Sequence, residues 1–257
     1  MIGAIAGDII GSIYEHRNVK TTRFPLFHPM CRFTDDTVLT VALAEHVLHA
    51  TPYVDLLKAY YRAYPGAGYG GTFHKWAQSE DVSPYNSWGN GSAMRVSPIG
   101  FAFDTIEDVL DRAKGSAEVT HDHPEGIKGA QSVASAIFLA RTGRGKDQIK
   151  NYVESTFGYR LDRTLDEIRP TYDFNVSCQG TVPQAITAFL ESEGFEDAIR
   201  KAVSIGGDSD TIACIAGGIA QAYYGGVPEP IRLRVFEVLD DRLGEMTRAF
   251  CQKFACP

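Results

Sequence analysis

The chain reads as all-α, a single compact multi-helix domain over residues 1–257, on three observations. Apolar residues recur at spacings of three and four along most of the chain, strand-like alternation is short and rare, and no linker divides the sequence. Hydrophobic residues make up 44% and charged residues 22% of the composition, which suits one large domain with a well-buried core.

The elements follow in order. The amino-terminal "GAIAGDIIGSIYE" is read as a helix in which Gly3, Gly7 and Gly11, four apart, form a smooth ridge where another backbone can approach closely. Asp8 and Glu15 stand seven apart, two turns along one face, and read as charges at the rim of that packing. Periodicity predicts helices over 37–50, 54–64, 125–142, 146–156, 182–192 and 195–205. An apolar run after Gly207 predicts another buried helix, and 228–254 reads as a long amphipathic one with Gly244 as its candidate break. Two irregular stretches, 15–33 and 65–100, are rich in Gly, Pro, Asn and Ser; loops that long inside a compact domain point to function.

Composition excludes several classes. A net charge of -7 argues against a nucleic-acid surface, which concentrates Lys and Arg against phosphate. The five cysteines are odd in number and without C-x-x-C spacing, so neither a disulfide framework nor a zinc site is expected. The apolar amino terminus lacks a basic flank and is interrupted by Asp8 and Glu15, unlike a signal peptide. No run nears the roughly 20 apolar residues of a membrane span. A soluble, cytoplasmic monomer without membrane or stable nucleic-acid partners is the expectation.

Two stretches share a grammar. "FTDDTVLTVALAEHV" and "GGDSDTIACIAGGIA" each place two aspartates and a threonine directly before a long apolar helix. One such residue suffices to cap a helix and complement its dipole. Both helices are apolar on nearly every face, so their starts belong inside the fold. Four aspartates gathered there repel one another by several kcal/mol at low effective dielectric unless a cation lies between them. An all-oxygen set of carboxylates and hydroxyls selects a hard cation such as Mg²⁺, Mn²⁺ or Ca²⁺ over zinc, and this many acids suits a two-metal site.

Other motifs fail on context. "GAGYGG" (66–71) fits G-x-G-x-x-G but follows a helical stretch, so it is no dinucleotide fingerprint. "GRGKD" (143–147) has Asp147 where a P-loop needs Ser or Thr.

The chain resembles the ADP-ribosylglycohydrolase family, nearly end to end. Six motifs in the family's order carry the resemblance: "GAIAGDIIGSIYE", "FTDDT", "WGNGSAMRVSPIG", "VTHDHPEGIKGAQ", "QGTVPQAITAFL" and "GGDSDTIACIAGGIAQAYYG". The resemblance implies an all-α fold around two Mg²⁺, with Mn²⁺ as the alternative. It implies Thr34, Asp35, Asp36, Asp208, Asp210 and Thr211 as metal-binding residues. Glu15 stands at the family's catalytic or metal-linked glutamate, and Asp35 and Asp36 join it as catalytic through the ions they hold. Ser87, Trp88, Gly89, Asn90, Gly91 and Ser92 match the loop that holds ADP-ribose, and His121 matches the histidine of the family's TH-containing motif. His123 reads either as a second phosphate-side group or as a helix cap.

The implied activity is hydrolysis of the N- or O-glycosidic bond at the distal ribose of an ADP-ribosylated protein or a small-molecule ADP-ribose conjugate. Two alternatives stay open: hydrolysis of a free derivative such as an O-acyl-ADP-ribose, and a non-catalytic ADP-ribose-binding or structural protein on the same fold.

Overall fold

The computed structural model describes residues 1–256, and among them the regular elements are all helices; a single isolated bridge pairs Gly89 with Ser177. In chain order they are α1 (Ile2–Gly11), α2 (Asp35–His49), α3 (Tyr53–Ala63), α4 (Gly71–Gln78), α5 (Gly91–Met94), α6 (Ser97–Ala102), α7 (Ile106–Glu118), α8 (Pro124–Arg141), α9 (Lys146–Phe157), α10 (Leu165–Ile168), α11 (Cys178–Leu190), α12 (Phe195–Ser204), α13 (Ser209–Tyr224), α14 (Glu229–Val238) and α15 (Asp241–Lys253). Among the described residues no helix is long and apolar enough to cross a membrane.

Helix α13 is the centre of the fold. It is buried from Ser209 to Ala222 on every face, with α1, α8, α11 and α12 packed around it. The glycine ridge of α1 lies directly on it. A Cβ placed on Gly3, Gly7 or Gly11 would run into the backbone of Gly217, Ala213 or Asp210 respectively. As the α1 number rises its α13 partner's falls, so the two helices are antiparallel. The end of α1 therefore meets the start of α13, which brings the first irregular stretch beside "GGDSD".

Helix α2 starts where capping chemistry predicts: the Thr34 hydroxyl accepts from the Asp36 N–H at 3.3 Å, and Asp35 and Asp36 complement the dipole in the first turn. Its face from Asp36 to Ala44 is buried.

Several elements differ from the sequence expectation. Asp8 is fully buried rather than at a rim, and α1 ends at Gly11, so Glu15 lies beyond the helix instead of two turns along it. The stretch 65–100 holds α4, α5 and the start of α6. Helix α7 forms without a predicted counterpart; Thr105 caps it by accepting from the Asp108 N–H at 3.1 Å. Helix α11 begins at Cys178, four residues before Val182, because Ser177 accepts from the Gly180 N–H at 3.0 Å. The carboxy-terminal helix breaks before Asp240, not at Gly244. Asp240 Oδ1 accepts from the Leu243 N–H at 2.9 Å and starts α15, while Gly244 sits inside it.

A candidate active site at two helix starts

Helices α2 and α13 open onto one cleft of about 700 Å³. Of the residues the sequence singles out, Glu15, Thr34, Asp35, Asp36, Ser87, Trp88, Gly89, Asn90, Gly91, His121, Asp208, Asp210 and Thr211 all line it. Ser92 does not: it is fully buried behind the loop, its hydroxyl donating to the Gly126 carbonyl at 2.7 Å.

The two helix starts touch. Thr211 Oγ1 donates to Asp36 Oδ1 at 3.3 Å, across 175 residues of sequence. Carboxylate oxygens of Glu15, Asp208 and Asp210 lie within 4.8 Å of one another. Behind them Asp8 holds the first triplet in place. Its carboxylate accepts from the Thr34 N–H at 2.9 Å, the Thr34 hydroxyl at 2.7 Å, the Thr37 N–H at 3.1 Å and the Thr37 hydroxyl. Asn90 Nδ2 donates to Asp208 Oδ2 at 2.7 Å and to Thr181 Oγ1 at 3.0 Å, joining the glycine loop to the second triplet.

Burial raises the pKa of every carboxyl in the cluster, and neighbouring charge adds to most of them. Burial pushes the Asp35 and Asp36 carboxyls well above the usual carboxylate range, and the charge of Asp8 adds to it. Asp210 is raised likewise by burial and then by Asp208. Glu15 is raised by burial and then by Asp208. Asp208 is raised by burial, with the Asn90 hydrogen bond opposing.

The residues fit a hard cation. Asp36 Oδ2 and Asp210 Oδ1 are buried oxygens without a hydrogen-bond donor, although nearly all buried polar atoms find partners. Glu15, Asp208 and Asp210 bring carboxylate oxygens together there, with the hydroxyls of Thr34 and Thr211 on the same cleft, an oxygen-rich set that suits a hard divalent cation.

The other half of the cleft is the loop 86–91. It is pinned to the segment before α11: the Asn90 N–H donates to Val176 O at 2.7 Å and the Cys178 N–H to Trp88 O at 3.0 Å. Ser87 Oγ accepts from the Gly89 N–H at 3.1 Å. A side chain at Gly91 would come within 3.1 Å of His121 Nε2, so glycine there leaves room for the imidazole. Trp88 is 49% exposed, and Phe174 and Val176 stand on the same rim.

His121 is set from behind. Arg95, fully buried, donates through Nη2 to Thr120 Oγ1 at 2.8 Å and to Ser116 O at 2.8 Å. Thr120 Oγ1 in turn lies 2.8 Å from His121 Nδ1. The guanidinium can only donate, so Thr120 Oγ1 accepts from Arg95 and links it to His121 Nδ1, which leaves Nε2 facing the glycine loop. Burial, then the Arg95 charge, lowers the His121 pKa well below its usual range and keeps the ring neutral. His123 is the N-cap of α8, its Nδ1 accepting from the Glu125 N–H at 3.1 Å.

Sequence reasoning read Asp8 as a rim charge, and it rejected the loop 66–71 as a dinucleotide fingerprint while marking the longer stretch 65–100 as functional. That loop's Ala67, Gly68, Gly70 and Gly71 line the cleft, and Ala67 O accepts from the Asp35 N–H at 2.9 Å. Side chains at Gly66, Gly70 and Gly71 would meet nothing, so these glycines serve no packing contact. A glycine cluster following a helix is a cue for a cleft wall as well as for a turn.

A family model described as ADP-ribosylglycohydrolase matches residues 1–256. The chain is 29% identical over 305 aligned residues to the ADP-ribosylhydrolase ARH3 of Homo sapiens, covering 88% of this chain and 84% of that protein. It is 26% identical over 265 residues to the ADP-ribosylarginine hydrolase Tri1 of Pseudomonas putida (strain GB-1), covering 88% and 69%. Among solved structures it is similar to an ADP-ribosylglycohydrolase-related protein complex, with a TM-score of 0.70, 25% identity, and coverage of 98% of this chain and 96% of that one.

Proposed function

This chain belongs to the ADP-ribosylglycohydrolase family, and we propose that it is a cation-dependent hydrolase that cleaves the glycosidic bond at the distal ribose of ADP-ribosyl conjugates and releases ADP-ribose. The observation that carries this reading is the pair of buried, donor-free oxygens on Asp36 and Asp210 at the floor of a cleft whose other wall is the pinned glycine loop.

The cation-holding residues are Thr34, Asp35, Asp36, Asp208, Asp210 and Thr211, for two Mg²⁺ or Mn²⁺. Bound there, the ions supply Lewis-acid orientation of ribose hydroxyls and water and offset the summed carboxylate charge. The chain's own groups do the rest. The loop around Ser87, Gly89 and Gly91 accommodates the diphosphate, His121 Nε2–H offers it a hydrogen bond, and Trp88 gives a face for the adenine or ribose. Asn90 holds Asp208 in register.

Hydrolysis joins a water oxygen to the anomeric carbon as its bond to the acceptor nitrogen or oxygen breaks. The water proton passes to a base, and the leaving atom takes one up. Glu15 is the candidate for one of these transfers, because its carboxylate lines the cleft with oxygens of Asp208 and Asp210 within 4.8 Å. The substrate is an ADP-ribosylated protein or a small ADP-ribose conjugate, including a free O-acyl derivative. The protein acts as a monomer in the cytoplasm.

The test is a panel of arginine-, serine- and acyl-linked ADP-ribosyl substrates incubated with the full chain and Mg²⁺, with EDTA and Asp35→Asn plus Asp210→Asn in parallel. Release of ADP-ribose from at least one linkage, abolished in both controls, is expected. Undiminished release in EDTA overturns the cation-dependent reading, and no release from any linkage overturns the hydrolase reading.

A further inference from the structure

The loop that carries Glu15 and the turn that delivers Asp208 are separated by nearly the whole chain, yet one side chain holds both. Asn18 Oδ1 accepts from the Gly207 N–H at 2.7 Å, and Asn18 Nδ2 donates to Gly207 O at 3.1 Å, so its amide pairs with both polar groups of that residue. The same Nδ2 reaches back to Tyr14 O at 2.7 Å and Glu15 O at 2.8 Å. Asn18 thus closes its own loop around Glu15 and fastens that loop to the residue immediately before Asp208.

The receiving turn is built to be held. Gly206 and Gly207 have φ of +77° and +70°, the left-handed region that favours glycine. A Cβ on Gly207 would lie 2.6 Å from Tyr172 Cε1, and one on Gly206 would lie 2.9 Å from Lys20 Nζ. Lys20 is a second fastening from the same loop, donating to Ile205 O at 2.7 Å and Tyr172 O at 2.6 Å. Beyond the turn, Glu15, Asp208 and Asp210 bring oxygens within 4.8 Å of one another, a spacing like charges do not hold without a frame.

We propose that Asn18 is a positioning residue that fixes the separation of Glu15 from Asp208 and Asp210, and through it the affinity of the cluster for a divalent cation. The inference rests on the cation site proposed above, to which Asp208 and Asp210 belong and which Glu15 borders. Asn18 itself contributes no ligand atom, since its Oδ1 and Nδ2 are committed to Gly207, Tyr14 and Glu15. Outer groups that orient ligands typically change metal affinity by about 10- to 100-fold when removed.

The experiment is calorimetric titration of Mg²⁺, and separately Mn²⁺, into the full chain stripped with EDTA and then freed of chelator. Wild type is compared with Asn18→Ala and Asn18→Asp, with melting temperatures recorded without metal. Asn18→Asp keeps an acceptor for the Gly207 N–H, loses every donor and adds a negative charge, which on charge alone tightens cation binding. The expected result is affinity weakened about tenfold or more in both variants, with metal-free melting temperatures within a few degrees of wild type. Wild-type affinity in Asn18→Ala, or tighter binding in Asn18→Asp, overturns the positioning role while leaving the cation site standing. A wild type that binds neither ion overturns the cation site itself and the role of Asn18 with it. If Asn18→Ala melts far below wild type, Asn18→Asp alone decides between the two.

Discussion

The carboxylate of Asp8 takes both polar groups of Thr34, the backbone N–H at 2.9 Å and the hydroxyl at 2.7 Å. Asp8 lies on α1 and Thr34 caps α2, so a single buried side chain sets where the first acidic triplet begins. Asp8 is raised in pKa by burial, and the donors from Thr34 and Thr37 oppose that rise.

Removing that acceptor should be severe. Asp8→Ala leaves the Thr34 and Thr37 N–H groups buried without a partner, and unmet buried donors cost about 1–3 kcal/mol each. A loss of about 3 kcal/mol in urea unfolding is expected, with a smaller loss for Asp8→Asn, which keeps one acceptor oxygen. A change below about 1 kcal/mol would show that Asp8 does not hold the triplet.

The histidine behind the glycine loop gives a binding prediction. Thr120→Val removes the link between Arg95 and His121 Nδ1. ADP-ribose binding, measured by calorimetry, should weaken about tenfold, the equivalent of one charge-assisted hydrogen bond. Unchanged affinity would mean that His121 Nε2–H does not meet the ligand.

Stability without cations should depend on pH with a definite sign. A carboxyl with a raised folded pKa stays protonated in the fold at a pH where the unfolded chain has released its proton. Its contribution is therefore full below about pH 4, the unfolded value, and is lost as pH rises through the raised one. Asp36→Asn has no such titration. In EDTA the variant's melting temperature should gain on wild type as pH rises above about 4, the unfolded value, and saturating Mg²⁺ should reverse the order. A difference independent of pH would remove the electrostatic strain assigned to Asp36.

Two glycines make a paired test of packing. Gly7→Ala drives a Cβ into the Ala213 backbone and should destabilise by about 3 kcal/mol or prevent folding. Gly115→Ala in α7 meets open space and should stabilise by about 0.5–1 kcal/mol, because alanine loses less backbone entropy in a helix. Circular-dichroism melts of the two variants read the contrast.

The sequence by itself determined the fold class, the burial of the helix after Asp210, the glycine ridge on α1 and the identity of both acidic triplets. Each is a local property: periodicity, a capping residue, a small side chain repeated every four positions. It also determined that the triplets needed company, because four carboxylates before apolar helices have no local partner. The tertiary structure decided the rest. That Asp8 is a clasp and not a rim charge, that Glu15 joins Asp208 and Asp210 from beyond the end of α1, and that Asn90 reaches Asp208 depend on contacts 26 to 195 positions apart. The same holds for the loop 66–71, whose glycines line the cleft only because α2 begins against Ala67. Periodicity and capping act within a few turns of chain. Which buried charge meets which donor is fixed only when antiparallel packing of α1 on α13 brings distant helix ends together.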